Sequence, residues 1–146
     1  MAQQDATALL DDDHNKVAAL FQQYKSAHDD SRRRLLAQQI CQELTVHAQI
    51  EEEIFYPAFG RATGDQQLVQ HSKREHQQAR ELIAQVEGAP TDARLMLELE
   101  DAVLHHVNDE REKMFPQARK AQGMDLMRLA QELQARKMEL MAPHPA

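Results

Sequence analysis

The chain has 146 residues, a formal net charge of -7, 4 glycines, 5 prolines and few aromatic residues. This length suits one domain with its own core, and a composition poor in helix breakers favours an all-α fold. The acidic charge argues against nucleic acid or an anionic membrane as the partner. Cys41 is the only cysteine, so no internal disulfide is expected. Without a leader-like segment or a long apolar run, the protein is expected to be soluble and cytoplasmic.

Apolar residues recur at three- and four-residue steps in four long segments, a pattern that predicts amphipathic helices. Helices are predicted over about 6–27, 31–60, 65–88 and 91–123, with a glycine-containing loop over 60–65. Leucines and methionines at helical spacing predict a short extra helix over 124–141. The chain is therefore divided into an up-down-up-down four-helix bundle, 1–123, and a C-terminal helix that packs on the bundle and ends in a frayed tail, 124–146.

The sequence contains the pattern H-x3-E-x5-P twice, as HAQIEEEIFYP from His47 and as HVNDEREKMFP from His106. Residues four apart lie on the same face of a helix, so each histidine stands one turn from a glutamate, Glu51 or Glu110. Each pair of side chains can therefore reach one metal ion or two adjacent ions.

The segments upstream of the two motifs also match each other. His14 and His76 each follow an acidic residue and precede two apolar residues six and seven positions later. A repeat of one helical hairpin places a histidine on each of four helices, so six ligand-type side chains converge inside the bundle. Burying two carboxylates without a cation would cost several kcal/mol per charge. The mixed nitrogen and oxygen donor set suits two iron ions, and manganese or zinc also accept it.

These motifs resemble the hemerythrin-like HHE cation-binding family. That family carries a histidine on its first helix, H-x3-E and a later proline on the second, EH on the third, and H-x3-E or a similar carboxylate pair on the fourth. The resemblance extends from about Leu9 to Pro116 and implies a hemerythrin-like bundle around an oxo- or hydroxo- and carboxylate-bridged iron pair, with Glu51 and Glu110 as bridges. The metal ligands that it implies are His14, His47, Glu51, His76, His106 and Glu110.

One position departs from the oxygen-carrying members of this family, which have two histidines four apart on the third helix. The residue four before His76 is Ser72. The expectation therefore moves from reversible oxygen carriage to sensing or detoxification, with oxygen, nitric oxide or peroxide bound at an open coordination position. An iron-responsive or iron-handling module without turnover is the alternative, and a metal-free interaction bundle is the third hypothesis. The motifs leave open whether the protein is an enzyme and whether it forms oligomers.

Packing is the role assigned to three residues in the motifs: Phe55, Tyr56 and Met114. An ideal α-helix places Tyr56 about 180° from His47, so Tyr56 is predicted to face away from the ligands. Phe55 and Met114 occupy matching positions in the two motifs and are predicted to form the wall of the metal pocket.

The remaining polar neighbours of the motifs are predicted to lie in solvent. They are Glu52, Glu53, Glu112, His71 and His105. Helical angles point both histidines away from the ligand face. For the glutamates, a water-mediated contact with a ligand is the alternative to simple solvation.

Overall fold

The structure is a computed structural model and describes residues 4–142. Its helices are Ala6–Ser26 (α1), Asp30–Ile50 (α2), Tyr56–Thr63 (α3), Gln66–Gly88 (α4), Ala93–Asp109 (α5), Phe115–Lys120 (α6) and Leu126–Met141 (α7). Two π-helical turns, Glu51–Phe55 and Glu110–Met114, join α2 to α3 and α5 to α6. The four bundle helices are therefore α1, α2 with α3, α4, and α5 with α6. The predicted all-α bundle with one extra helix is confirmed.

An aspartate precedes the start of each long helix. Its carboxylate accepts a hydrogen bond from a backbone N–H group of the first turn. These capping residues are Asp5, Asp29, Asp65, Asp92 and Asp125. Because the first N–H groups of a helix have no partner within it, each cap stabilises the helix by about 1 kcal/mol.

The predicted loop over 60–65 is wrong in its first part, because α3 continues to Thr63. Gly64 ends α3 with a φ of 73°, a left-handed conformation that favours glycine. The fourth bundle helix ends at Lys120 rather than at Gly123. Pro57 and Pro116 do not end their helices, since each lies in the first turn after a π turn, where proline is tolerated.

The core consists of two apolar clusters, one towards each end of the bundle. One contains Leu10, Ile50, Phe55, Tyr56, Phe59, Met114, Phe115 and Leu133, among others. The other contains Val17, Phe21, Leu36, Ile40, Ile83, Val86, Met96 and Leu99, among others. Along α1 and α2, His14 falls between Leu10 and Val17, and His47 between Ile40 and Ile50. Polar side chains are thus placed halfway along the bundle.

Helix α7 packs across α1, α2 and the first π turn. It buries Leu129, Ala130 and Leu133 on the side that faces the bundle. Apart from Ala142, the predicted frayed tail lies outside the described residues. No helix between residues 4 and 142 has the length and apolar character needed to cross a bilayer.

Candidate metal centre

The six predicted ligands meet between the two apolar clusters, and each is at most 8% exposed. Their ligand-type atoms form two groups. One group is His14, His47 and Glu110, and the other is His76, His106 and Glu51. The glutamate of each H-x3-E motif is therefore grouped with the histidines of the other half of the repeat.

Each glutamate also lies close to a histidine of its own motif. Glu51 Oε1 is 3.2 Å from His47 Nε2 and 3.1 Å from His76 Nε2. Glu110 Oε1 is 3.1 Å from His14 Nε2 and 3.5 Å from His106 Nε2. Both carboxylates consequently lie between the two groups, where one carboxylate can contact two ions.

The imidazoles form one close pair in each group. His14 and His47 have ring centroids 4.9 Å apart. His76 Nε2 and His106 Nε2 are 3.1 Å apart. Two imidazole nitrogens this close need a proton or a metal ion between them, because otherwise their lone pairs repel.

Tyr56 belongs to this centre, which contradicts the prediction that it faces away. Its hydroxyl lies 2.8 Å from Glu110 Oε2, 3.2 Å from Glu51 Oε1 and 3.1 Å from His76 Nε2. The prediction failed because it assumed an unbroken α-helix. In the π turn the Tyr56 N–H group bonds to the carbonyl of Glu51, five residues earlier, so Tyr56 returns to the face of Glu51.

The second π turn has the same effect on Phe115, whose N–H group bonds to the Glu110 carbonyl. The Phe115 ring stacks on His14 with centroids 6.0 Å apart. Tyr56 and Phe115, which follow Phe55 and Met114, contact the histidines. That Phe55 and Met114 wall the metal pocket stays a prediction. Phe55 packs edge-on against the rings of both Tyr56 and Phe115.

Each candidate histidine has a carboxylate at its Nδ1 atom. The pairs are His14 with Asp11 (3.0 Å), His47 with Asp13 (3.1 Å), His76 with Glu52 (2.8 Å) and His106 with Glu75 (2.9 Å). An ionised carboxylate only accepts hydrogen bonds, so each Nδ1 carries the proton. The Nε2 atom of each ring is directed at the centre, as in metal sites whose histidines are oriented by carboxylates.

Sequence reasoning missed these carboxylates. The acid before His14 and His76 was visible in the repeat, yet Asp13 and Glu75 bind histidines of the neighbouring helices rather than their own neighbours in sequence. Glu52, predicted to be solvated, contacts both His76 and Arg80 and is three-quarters buried. The predicted exposure of Glu53 and Glu112 is confirmed.

Three of the four carboxylates also form an ion pair with a basic side chain. These pairs are Asp11 with Arg111, Asp13 with Lys137 and Glu52 with Arg80. Lys137 belongs to α7, so the extra helix is tied to the centre through Asp13 and His47. The cations keep the carboxylates ionised and thus able to hold the imidazoles.

The charges of the centre shift the pKa values of its side chains. Burial alone would lower the pKa of His47, but the Glu51 carboxylate and the Asp13 hydrogen bond raise it to about 10. Burial opposes ionisation of Glu51, yet the positive charge of His47 holds the pKa of this carboxyl well below its usual range. The pKa of His106 is raised well above its usual value, since Glu110 outweighs burial. The centre thus attracts positive charge, either as protons or as metal ions.

Several atoms of the centre fit a metal pair. Among the described residues, four buried atoms of the centre have no hydrogen-bond partner: His14 Nε2, His47 Nε2, Glu51 Oε2 and Glu110 Oε1. Leaving such atoms unsatisfied costs about 1–3 kcal/mol each, more when they are charged. Coordination to a cation would satisfy all of them, and imidazole with carboxylate is a donor set that first-row metals accept.

A cavity of about 40 Å³ adjoins the four histidines. Its other walls are mainly apolar and include Leu44, Ala48, Ala79, Ile83, Val103 and Val107. About 10–15 Å³ is enough for one water-sized molecule. The cavity therefore has room for a small molecule beside the imidazoles.

The family model of the hemerythrin HHE cation binding domain matches residues 5–118. This range is most of the chain and includes all six residues of the centre. The protein belongs to the hemerythrin HHE cation-binding domain family.

Two further proteins are similar to this chain. A Nostoc sp. (strain PCC 7120 / SAG 25.82 / UTEX 2576) protein named DNA nickase is 32% identical over 106 residues, which is 70% of this chain and 30% of that protein. The chain thus spans less than a third of that relative's length. The crystal structure of a hemerythrin HHE cation binding domain-containing protein from Mycobacterium kansasii has a TM-score of 0.79 at 21% identity and covers 94% of this chain and 87% of that chain. This second similarity shows the shared fold.

Proposed function

We propose that the protein is a hemerythrin-like non-haem di-iron protein that binds or reacts with oxygen, nitric oxide or peroxide. The position of the two glutamates carries this proposal. Glu51 Oε1 and Glu110 Oε1 each lie within 3.8 Å of imidazole nitrogens from both residue groups. Two carboxylates so placed can share two ions, while four imidazoles complete a donor set that suits iron, and also manganese or zinc.

Bound iron would supply electron transfer and an open coordination position for a small ligand. The residues of the chain define the surroundings of that position. Asp13 and the three equivalent carboxylates orient the imidazoles, and the Tyr56 hydroxyl donates a hydrogen bond to Glu110. The apolar walls beside the histidines limit access of water, which strengthens electrostatic interactions in the centre.

The cavity supports a small, uncharged ligand. At about 40 Å³, with apolar walls, it suits a diatomic gas or hydrogen peroxide better than a metabolite. The acidic chain and its buried centre likewise support a small-molecule ligand rather than nucleic acid or a membrane. A cytoplasmic location is part of the same proposal.

Ser72 and Tyr56 favour sensing or detoxification over oxygen carriage. Ser72 is buried on α4, four residues before His76. A buried serine therefore occupies the position of the second histidine that oxygen carriers have on the third helix. The centre has four histidines rather than five, with a phenol beside both glutamates.

The test combines metal content with optical spectra. Purified protein should contain about two irons per chain and show near-ultraviolet absorption of a bridged di-ferric pair that dithionite removes. Protein loaded with iron under anaerobic conditions should regain this absorption on aeration. His28→Ala is the control, because His28 lies in the first interhelical loop. A spectrum that does not change on aeration contradicts the redox proposal.

An iron-responsive or iron-handling module without turnover is the second candidate. The observation that favours it is the chain of contacts from His47 through Asp13 to Lys137 on α7, by which occupancy of the centre can influence the extra helix. For this candidate, chelation should lower helix content or reduce protection of α7 from hydrogen exchange, with no spectral response to oxygen. Equal protection of α7 with and without metal contradicts it.

DNA nicking is not part of the proposal. The chain corresponds to 30% of the Nostoc relative, and its net charge of -7 opposes binding to a phosphate backbone.

A further inference from the structure

A second cluster of potential ligands lies on the outer face of α4 and α5. It contains His71 and Glu75 from α4 and His105 and Asp109 from α5. His71 Nε2 is 3.1 Å from Asp109 Oδ2 and 3.4 Å from Glu75 Oε2. His105 Nε2 is 3.3 Å from Glu75 Oε2 and 3.6 Å from Asp109 Oδ2. His71, Glu75 and Asp109 thus each offer a ligand atom within 4.8 Å of the others, and His105 lies beside this group.

The distances from His71 to Asp109 and to Glu75 are close to those between two ligands of one tetrahedral ion. With metal–ligand bonds of about 2.0–2.1 Å, neighbouring donor atoms of a tetrahedral site lie about 3.3–3.4 Å apart. The residues are positioned by regular helix, since His71 and Glu75, like His105 and Asp109, are one turn apart on one face. No helix has to move for His71, Glu75 and Asp109 to contact one ion.

Glu75 is the residue that points to a ligand. Its side chain is 9% exposed, and its Oε2 atom has no hydrogen-bond partner among the described residues. Its other oxygen, Oε1, accepts the hydrogen bond of His106 Nδ1. One oxygen therefore serves the central site, and the other is buried and directed at His71 and His105.

Comparison with the other three carboxylates that hold the histidines shows what is missing at Glu75. Asp11, Asp13 and Glu52 each contact an arginine or lysine. Within residues 4–142, the charged or titratable partners of Glu75 are imidazoles and the neighbouring carboxylate of Asp109. Lys113 Nζ lies 3.6 Å from Asp109 Oδ1, whereas Asp109 Oδ2 is the oxygen next to His71. Next to Glu75, a metal ion can supply the positive charge that arginine or lysine supplies to the other three carboxylates.

We propose that His71, Glu75 and Asp109, with His105 beside them, form a further metal site for a divalent first-row ion such as Zn²⁺. This ion is additional to the central pair. Two carboxylates balance its charge, and the two imidazoles favour zinc or a neighbouring transition metal over calcium or magnesium. His71 and His105 have side chains 42% and 71% exposed, so the ion reaches the site directly from solvent. Glu75 connects this outer ion to His106.

Zinc uptake tests the site. Parent protein and the double variant His71→Ala/Asp109→Asn are dialysed against a series of Zn²⁺ concentrations, and bound zinc and iron are measured together. We expect the parent to bind one more zinc per chain than the double variant, with equal iron in both. Each single variant should weaken this zinc by roughly tenfold or more. His28→Ala is the matched control and should bind as much zinc as the parent.

Equal zinc binding by the parent and the double variant overturns the proposal. The His14→Ala variant separates this result from failure of the central site, because His14 contacts none of the four outer residues. It should lose central metal and keep the outer zinc. Cobalt gives a second readout: Co²⁺ in the parent should show intense visible bands of a four-coordinate ion that the double variant lacks.

Discussion

Asp13 and His47 lie on adjacent helices and are joined by a hydrogen bond of 3.1 Å between Asp13 Oδ2 and His47 Nδ1. The other carboxylate oxygen of Asp13 is 2.5 Å from Lys137 Nζ. A single buried aspartate thus connects a candidate metal ligand with the extra helix. Orientation of the imidazole and anchoring of α7 depend on the same side chain.

Asp13→Asn should lower metal affinity of the centre by roughly 10- to 100-fold, because the neutral amide no longer polarises the His47 ring. Competition with a chelator of known affinity measures the change. Asp12→Asn makes the same charge change at an exposed neighbour and should leave affinity unaltered. If both variants bind metal like the parent, Asp13 does not orient a ligand.

Lys137→Met should destabilise the protein by about 1–3 kcal/mol, since it leaves the Asp13 carboxylate buried without its cation. Denaturant unfolding measures the free energy. Arg136→Met is the comparison on the same helix: Arg136 pairs with the exposed Glu53, and surface pairs contribute little. An equal loss in both variants would show that Lys137 acts only through packing of α7.

The helices and the ligand positions could be predicted because both follow from α-helical periodicity. His47 and Glu51 are one turn apart in any regular helix, and the caps at Asp65 and Asp92 are local signals. Tyr56 could not be placed, because a π turn changes the helical phase after Glu51. The proline six residues after each glutamate marks this turn, and it was interpreted only as part of a repeat.

Tyr56→Phe should lower the stability of metal-free protein by about 1 kcal/mol and leave the iron content unchanged. The reason is that burial holds the pKa of the Tyr56 phenol well above its usual value, with Glu110 and Glu51 adding to the shift. The group therefore donates a hydrogen bond. Tyr24→Phe, which loses the hydrogen bond to the Pro90 carbonyl, is the control for stability. A visible charge-transfer band of ferric protein that disappears only in Tyr56→Phe would identify the phenolate as a ligand instead.

Chelation should lower the melting temperature of the parent by roughly 10 °C when metal is present at about 100 times its Kd, a stabilisation of about 2.7 kcal/mol. His47→Ala and His106→Ala should melt at nearly the same temperature with and without chelator. Differential scanning calorimetry gives the values. A parent whose melting temperature is insensitive to chelation would favour the metal-free interaction bundle.

Metal-free protein should lose stability as the pH rises from 6.5 to about 10. His47 has a pKa raised to about 10, since burial is outweighed by Glu51, so its contribution is complete below the ordinary value of 6.5 and is lost above the folded value. On the acid side, the lowered pKa values of Asp13 and Glu51 give a contribution that is lost as the pH falls below their ordinary range. Denaturant unfolding across this pH range measures the profile.

Metal affinity should rise over the same interval, because a metal ion must displace the proton from His47 Nε2. The metal-loaded protein should accordingly show a flatter stability profile between pH 6.5 and 10 than the metal-free protein. Identical profiles in the two states would show that metal and proton do not compete for this histidine.

The histidine partners of the carboxylates at the Nδ1 atoms could not be predicted from the order of residues in the sequence. Asp13 precedes His14 but bonds to His47, and Glu75 precedes His76 but bonds to His106. Their partners depend on which helices are adjacent and on their rotation. The outer cluster was missed for the same reason: His71 and His105 were correctly predicted at the surface, but their convergence on Glu75 and Asp109 requires α4 and α5 to be packed together.

Each π turn also holds one residue more than an ordinary helical turn. Deleting one residue between Glu51 and Tyr56 would convert the turn to α-helix, in which the tyrosine comes four residues after Glu51 and keeps the same face. The helices on either side would keep their rotation, so related sequences should tolerate a difference of one residue at these turns. Deleting a second residue would rotate the tyrosine away from the centre by about 100°.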